Sequence, residues 1–215
     1  MDPAVATFDD SGFLIVPDVL APEQCEALGA IVSSGVGTDS RNMLELAWCQ
    51  DLALALKRHI GIAPHLPPGA LAVQCTLFDK SPERNWLVAS HQDLSIPVRE
   101  KVESAACSGW SVKGGVTFVQ PPTAVLADLV AVRIHLDDCG ASSGPLRVVP
   151  GSHLYGRFAA KNARDRRQSN GEVTCTLRRG DALLMRPLLL HASSKAISDL
   201  PRRILHFLFG SPLLP

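Results

Sequence analysis

Leu129-Val-Ala-Val-Arg-Ile-His-Leu-Asp137 is the stretch that decides the expected fold. Apolar and polar side chains alternate strictly from Val132 onward, which is typical of a β-strand with one face on a core. Seven other apolar segments of strand length lie beyond residue 70, separated by Gly, Pro, Asp and Ser. The eight predicted strands are 71–78, 91–98, 115–119, 129–137, 146–149, 172–177, 182–190 and 202–209.

The first third of the chain has a different character. Residues 13–16 predict a short strand, and the spacing of apolar residues predicts helices over 22–33 and 41–60. We therefore expect a single domain over 1–215, with a helical layer at about 1–66 and a jelly-roll core at about 71–210. The expected fold class is mainly β with N-terminal helices, as in a double-stranded β-helix or cupin-like barrel.

Composition excludes several classes of protein. The 21 Lys and Arg residues balance 21 Asp and Glu residues, so nothing indicates a nucleic-acid or membrane partner. No apolar run is long enough to cross a bilayer, and the first residues do not resemble a signal peptide. The six scattered cysteines favour reduced thiols and a cytoplasmic location. We expect a small-molecule substrate, and the sequence leaves the oligomeric state open.

Three residues have the chemistry of a metal site. In a strand, His91 and Asp93 project to the same side, and His191 follows another predicted strand that could close over them. Two histidines and one carboxylate leave half of an octahedral iron(II) open for other ligands. From the residues alone, this set predicts either a non-haem iron centre or three side chains with an ordinary packing role.

A rival pair of the same pattern lies on the strand quoted first. His135 and Asp137 are also two residues apart. The segment between Asp137 and His191 is shorter than the segment between Asp93 and His191, which leaves less room for the intervening strands. We expect His135 to be a hydrogen-bonded strand histidine instead of a ligand.

The chain resembles the phytanoyl-CoA dioxygenase family of iron(II)/2-oxoglutarate oxygenases. The resemblance runs from about residue 8 to 210 and is clearest over 77–93, 133–153 and 180–194. It implies that His91, Asp93 and His191 hold Fe(II). It also implies 2-oxoglutarate and O2 as co-substrates, and hydroxylation of a C–H bond with release of succinate and CO2. The segment from Gly144 to His153 matches the family too, and we expect it to be structural.

The same resemblance implies a pocket for 2-oxoglutarate. The family's carboxylate-binding arginine follows the distal histidine by about eleven residues, which fits Arg202, with Arg203 as the alternative. Arginine binds carboxylates with two parallel N–H groups. Ser193 and Gln74 resemble the family residues that contact the same ligand.

The other assignments near the site are less direct. Trp86 and Arg133 are candidates for the substrate pocket, whereas Lys80 is expected to be a solvated turn lysine. Residues 100–115 and 160–171 are long and polar, so they predict loops that cover the substrate. Two alternatives stay open: a cupin-like metal enzyme that does not use 2-oxoglutarate, and a non-catalytic ligand-binding protein. The sequence does not identify the substrate.

Overall fold

A computed structural model describes residues 7–35 and 43–212 of the chain. Five α-helices lie in these residues: α1 (Phe8–Ser11), α2 (Pro22–Ser33), α3 (Ala47–Arg58), α4 (Thr123–Asp128) and α5 (Ala160–Asn170). The strands of the same part of the chain are β1 (Phe13–Val16), β2 (Leu71–Lys80), β3 (Val88–His91), β4 (Ile96–Val98), β5 (Ser108–Lys113), β6 (Val116–Gln120), β7 (Val130–His135), β8 (Leu146–Val148), β9 (Val173–Cys175), β10 (Ala182–Met185), β11 (His191–Ser193) and β12 (Arg202–Gly210).

The strands form three antiparallel sheets. The largest has the order β1-β10-β7-β12-β2, the second β3-β11-β8-β9 and the third β4-β6-β5. The arrangement is a cupin-like jelly roll preceded by helices, which confirms the expected fold class. The prediction of one domain over 1–215 stays a prediction.

Two apolar clusters lie on opposite faces of the five-stranded sheet. On β7, Val132 and Ile134 belong to the cluster that also contains Cys49 and Leu56 of α3. Ala131 belongs to the second cluster, which includes side chains from all three sheets and fills the barrel. The alternation quoted first therefore separates a helix-facing side from a barrel-facing side. Both sides are buried, whereas the sequence predicted a single core face. Arg133 and His135 share the parity of Ala131 and face the barrel interior.

Two predicted strands are wrong because each is broken in the middle. In segment 91–98, β3 ends at His91 and β4 begins only at Ile96. In segment 182–190, β10 ends at Met185, and the next strand, β11, begins at His191. Pro187 lies in the second break, where it has no N–H to continue a ladder. Its carbonyl accepts a hydrogen bond from the Asp93 amide at 2.9 Å, so the two breaks contact each other.

Both predicted covering loops contain regular structure instead. Residues 160–171 include α5, and β5 lies within 100–115. The Gly114-Gly115 pair joins β5 to β6 with φ angles of 57° and 77°, which is the hairpin turn that such a dipeptide favours. That signal was present in the sequence and was missed.

The predictions for the helical layer are partly confirmed. The strand at 13–16 and the helix at 22–33 have the predicted bounds. The helix predicted over 41–60 begins later, at Ala47, after a single 3-10 turn at Met43–Glu45, and residues 41–42 lie outside the described residues. The four-residue α1 and six-residue α4 were not predicted, because they are too short to show a helical period. Within the described ranges, no helix is long and apolar enough to cross a membrane.

Candidate metal and anion site

His91 and His191 face each other across two neighbouring strands. His91 is the last residue of β3 and His191 the first of β11, and the two are Cα partners in the ladder. Their ring centroids are 4.3 Å apart. Strand pairing alone therefore brings two residues that are far apart in sequence to one point.

Asp93 completes the set from the loop between β3 and β4. Its Oδ1 lies 3.5 Å from His91 Nε2, and its Oδ2 lies 3.7 Å from His191 Nε2. The donor atoms of the three residues all lie within 4.8 Å of one another, which one metal ion can bridge. Among the described residues, this is the one His, Cys, Asp or Glu cluster with that geometry.

The imidazole rings are oriented by backbone carbonyls. His91 Nδ1 lies 2.9 Å from the Ala89 carbonyl oxygen, and His191 Nδ1 lies 2.8 Å from that of Leu189. Because a carbonyl oxygen only accepts, each Nδ1 carries the proton, which leaves the lone pair of each Nε2 available to a metal ion. Histidine ligands of metals are commonly fixed in this way, so the donor set fits a divalent ion.

The protonation states of Asp93 and His191 suit metal binding as well. Burial raises the pKa of Asp93, but the neighbouring His191 and His91 outweigh it and hold this pKa well below its usual range. Burial lowers the pKa of His191 to about 4, although Asp93 opposes the shift. Burial also lowers the pKa of His91, but the interaction of its protonated ring with Asp93 outweighs burial and raises that pKa overall. At neutral pH the carboxylate is ionised and His191 is neutral, as metal coordination requires.

Gln92 holds the ligand loop in place. Its buried side-chain amide donates to the Leu188 carbonyl at 2.6 Å and to the Gly156 carbonyl at 2.8 Å. Its carbonyl oxygen accepts from the Phe158 amide at 2.8 Å. Sequence reasoning missed this residue, although its position between two candidate ligands was a signal.

A group of buried cations lies beyond His191. Ser193 Oγ is 3.3 Å from Lys80 Nζ, which also donates to the Ser194 carbonyl at 2.8 Å. Arg202 is the cross-strand partner of Lys80, and both side chains are almost fully buried. Burial and the charge of Arg202 lower the pKa of Lys80 to about 8.

The prediction of a solvated Lys80 is wrong, because β2 continues two residues past its predicted end and keeps this side chain inside the barrel.

Arg203 lies on the opposite face of β12. Its guanidinium binds the Asp137 carboxylate at 2.6 and 2.8 Å and donates to the Gly29 carbonyl of α2 at 2.9 Å. This contact also removes the rival pair, since the Asp137 carboxylate is occupied while His135 faces the barrel. The expectation that His135 is hydrogen-bonded is wrong for its ring Nδ1, which has no partner within the described chain.

The remaining predicted residues lie around the same interior. Gln74 donates from its amide to Thr76 Oγ1 at 2.8 Å, one step along β2. Trp86 is 37% exposed, and Lys80 Nζ lies 5.3 Å from its ring centroid. Arg133 is 6% exposed and its Nη1 lies 2.9 Å from His206 Nδ1.

The segment from Gly144 to His153 supports the site, as expected. Ser152 Oγ accepts from the Leu190 amide at 2.8 Å, next to His191. The Gly144 carbonyl accepts from Arg202 Nη1 at 2.5 Å. Gly144 has φ of 63°, and a Cβ there would lie 2.5 Å from the Ser194 carbonyl oxygen, so only glycine fits without movement. The contact between Gly144 and Arg202 was not predicted.

Comparison with known proteins agrees with this geometry. Residues 51–204, more than half of the chain, match the family model described as phytanoyl-CoA dioxygenase. No curated protein sequence matches the chain.

Solved structures of similar fold share little sequence with the chain. The carbocyclase SnoK from nogalamycin biosynthesis, described as non-haem and α-ketoglutarate-dependent, has 17% identity and a TM-score of 0.66, over 95% of this chain and 81% of its own. EctD from S. alaskensis, in its apo form, has 17% identity and a TM-score of 0.69, over 95% and 74%. HygX from Streptomyces hygroscopicus, with nickel, 2-oxoglutarate and hygromycin B bound, has 16% identity and a TM-score of 0.64, over 96% and 86%. At this level of identity the likeness establishes the fold.

Proposed function

The chain belongs to the phytanoyl-CoA dioxygenase family, and from that premise we propose that it is an iron(II)- and 2-oxoglutarate-dependent dioxygenase. The proposed reaction is hydroxylation of a C–H bond of a small-molecule substrate, with release of succinate and CO2. The observation that carries the proposal is that His91, Asp93 and His191 converge beside buried cations. A redox metal and an anionic co-substrate would thus be held side by side.

The three ligands would hold the metal on one face and leave its other positions open. Both histidines would bind it through Nε2, because their Nδ1 atoms donate to the carbonyl groups of Ala89 and Leu189. Together with 2-oxoglutarate and O2, iron(II) supplies an oxidant strong enough to attack a C–H bond. The carboxylate of Asp93 would supply the third protein ligand.

The cations define where the co-substrate binds. Arg202 and Ser193 would bind the carboxylate far from the metal, and Lys80 would add a third donor from β2. Gln74 faces the same interior and would contact the co-substrate further along this strand. Arg202 is favoured over Arg203 for this role, because the guanidinium of Arg203 is already paired with Asp137.

The proposed substrate is a small molecule that enters near Trp86, whose ring is partly exposed beside Lys80. HygX, a protein of the same fold, has hygromycin B bound together with 2-oxoglutarate. All six cysteines are unpaired, which supports a cytoplasmic location.

Turnover of 2-oxoglutarate tests the proposal without knowledge of the substrate. Wild-type protein with iron(II) and air is expected to convert 13C-labelled 2-oxoglutarate slowly to labelled succinate, as detected by mass spectrometry. His191→Ala is expected to lose this activity, whereas His59→Ala, which changes a histidine outside the site, retains it. Metal binding without succinate, with or without candidate substrates, would instead support a cupin-like enzyme. Absence of metal binding would support a non-catalytic protein.

A further inference from the structure

The barrel interior contains more positive charge than the chain itself neutralises. Lys80, Arg133 and Arg202 are 1%, 6% and 3% exposed, and all three face inward from neighbouring strands. Within the described residues, none of them forms an ion pair with an Asp or Glu. Buried charges in proteins are normally paired, so this interior is suited to an anion that comes from outside the chain.

Unpartnered atoms mark where that anion would bind. Arg133 Nε, Arg202 Nε and His135 Nδ1 are buried, and in the described part of the chain none has a hydrogen-bond partner. Buried polar atoms without a partner are rare in native proteins, so each of these three is expected to form a hydrogen bond with a ligand or a water molecule. Two of the three are guanidinium N–H donors, which prefer carboxylate oxygens.

Arg133 lies further along the barrel than Arg202, because its cross-strand partner is His206, which follows Arg202 by four residues on β12. Its neighbour across the strands is His206, and its guanidinium lies 5.2 Å from the Phe78 ring centroid. Arg202 and Lys80 therefore face the interior at one position along the barrel and Arg133 at another, so the three cations can contact two separate carboxylates.

From these contacts we infer that Arg133 is the second carboxylate anchor of the pocket, so that the interior is a cage for a short dicarboxylate. Arg202, Lys80 and Ser193 bind one carboxylate, and Arg133, oriented by His206, binds the other. The inference takes the identity of the natural dicarboxylate from the proposed function. It assigns Arg133 to the co-substrate instead of the substrate pocket, and it implies that dicarboxylates bind without metal.

Glutarate tests the cage apart from the metal, because it has both carboxylates but lacks the keto group that chelates iron. We would titrate metal-free protein with glutarate and with butyrate, which has a single carboxylate, by calorimetry. Glutarate is expected to bind wild type at least about tenfold more tightly than butyrate, since one more charge-assisted contact is made. Equal affinity, or no binding of glutarate, would overturn the inference without any variant.

Substitution then locates the second anchor. Arg133→Gln is expected to weaken glutarate about tenfold and leave butyrate unchanged, whereas Arg202→Gln weakens both. Arg133→Lys keeps the charge and should retain part of the preference for glutarate. The exposed Arg178→Gln is the matched control and should resemble wild type. If Arg133→Gln is folded and binds glutarate as wild type does, Arg133 is not an anchor.

Failure of this inference and failure of the proposed function give different results. Tight glutarate binding without any succinate production would leave the cage intact and refute the dioxygenase assignment. Succinate production in a protein that shows no preference for glutarate over butyrate would support the dioxygenase assignment and refute the cage.

Discussion

Lys80 is the buried charge whose energetics are easiest to measure. Burial and the cations of Arg202 and Arg133 favour its neutral form, whereas Cys139 opposes them, and the pKa falls from 10.5 to about 8. Between these two values the unfolded chain binds a proton that the folded chain does not. The contribution of Lys80 to stability therefore increases as pH rises from about 8 to 10.5.

Comparison with Lys80→Met isolates this effect from other titrating groups. In denaturant unfolding at pH 8 and pH 10, we expect the free energy of unfolding of wild type to rise relative to that of the variant. Parallel behaviour of the two proteins over this range would mean that Lys80 is solvated and charged in the folded protein.

Gly144 gives a second prediction at the scale of one residue. Ala at this position meets a left-handed φ of 63° and the Ser194 carbonyl oxygen at 2.5 Å. Gly115 has a similar φ of 77° with nothing within 4 Å of an added Cβ, so Gly115→Ala measures the backbone strain alone. We expect Gly115→Ala to cost about 1 kcal/mol of unfolding free energy, and Gly144→Ala about 1–3 kcal/mol more. Equal losses would show that the crowding at Gly144 relaxes freely.

At the scale of the element, the loop between β3 and β4 determines whether three ligands meet. Gln92 ties this loop to the β10–β11 break and to residues 156–158. We expect Gln92→Leu to lower metal affinity by about 10- to 100-fold, although no ligand is removed. Calorimetric titration with Mn(II) would measure this, and Gln168→Leu on the exposed face of α5 is the control. Unchanged affinity in Gln92→Leu would show that the loop keeps its shape without these bonds.

The same elements explain what the sequence could predict. The alternation on β7 is regular because one face packs on helices and the other on the barrel. Periodicity separated the two faces, but it did not predict that both are buried. The burial of Lys80 was not predictable from composition, since it depends on how far β2 extends and on its pairing with Arg202. Asp93 was placed correctly on the His91 side but wrongly in a strand, because the bond to Pro187 is a tertiary contact.

At the scale of the whole molecule, a metal ion would join parts of the barrel that the chain connects only through long segments. Its ligands come from β3, the following loop and β11. Metal at about 100 times its dissociation constant is expected to add about 2.7 kcal/mol to the free energy of unfolding. Anaerobic denaturation with iron(II) should show this gain in wild type and His59→Ala and its loss in His191→Ala. A gain of equal size in His191→Ala would place the ion elsewhere.

The global fold was also more predictable than the contents of the barrel. Eight alternating segments after a helical region were enough to indicate a jelly roll, and the metal motif was recognisable because its residues match a family pattern. The cation cage was not recognised, because Lys80, Arg133 and Arg202 come from three strands whose order in the sheet is not readable from the chain.

The most direct test of the central claim is an anaerobic titration of the metal-free protein with iron(II) and 2-oxoglutarate, followed by visible absorption. The account predicts a weak charge-transfer band of the iron chelate in wild type, and a band that needs at least about tenfold more 2-oxoglutarate in Arg202→Ala. Arg203→Ala, which alters the outer face of β12, should titrate as wild type does. Iron binding without any band would contradict the assignment of 2-oxoglutarate to this site.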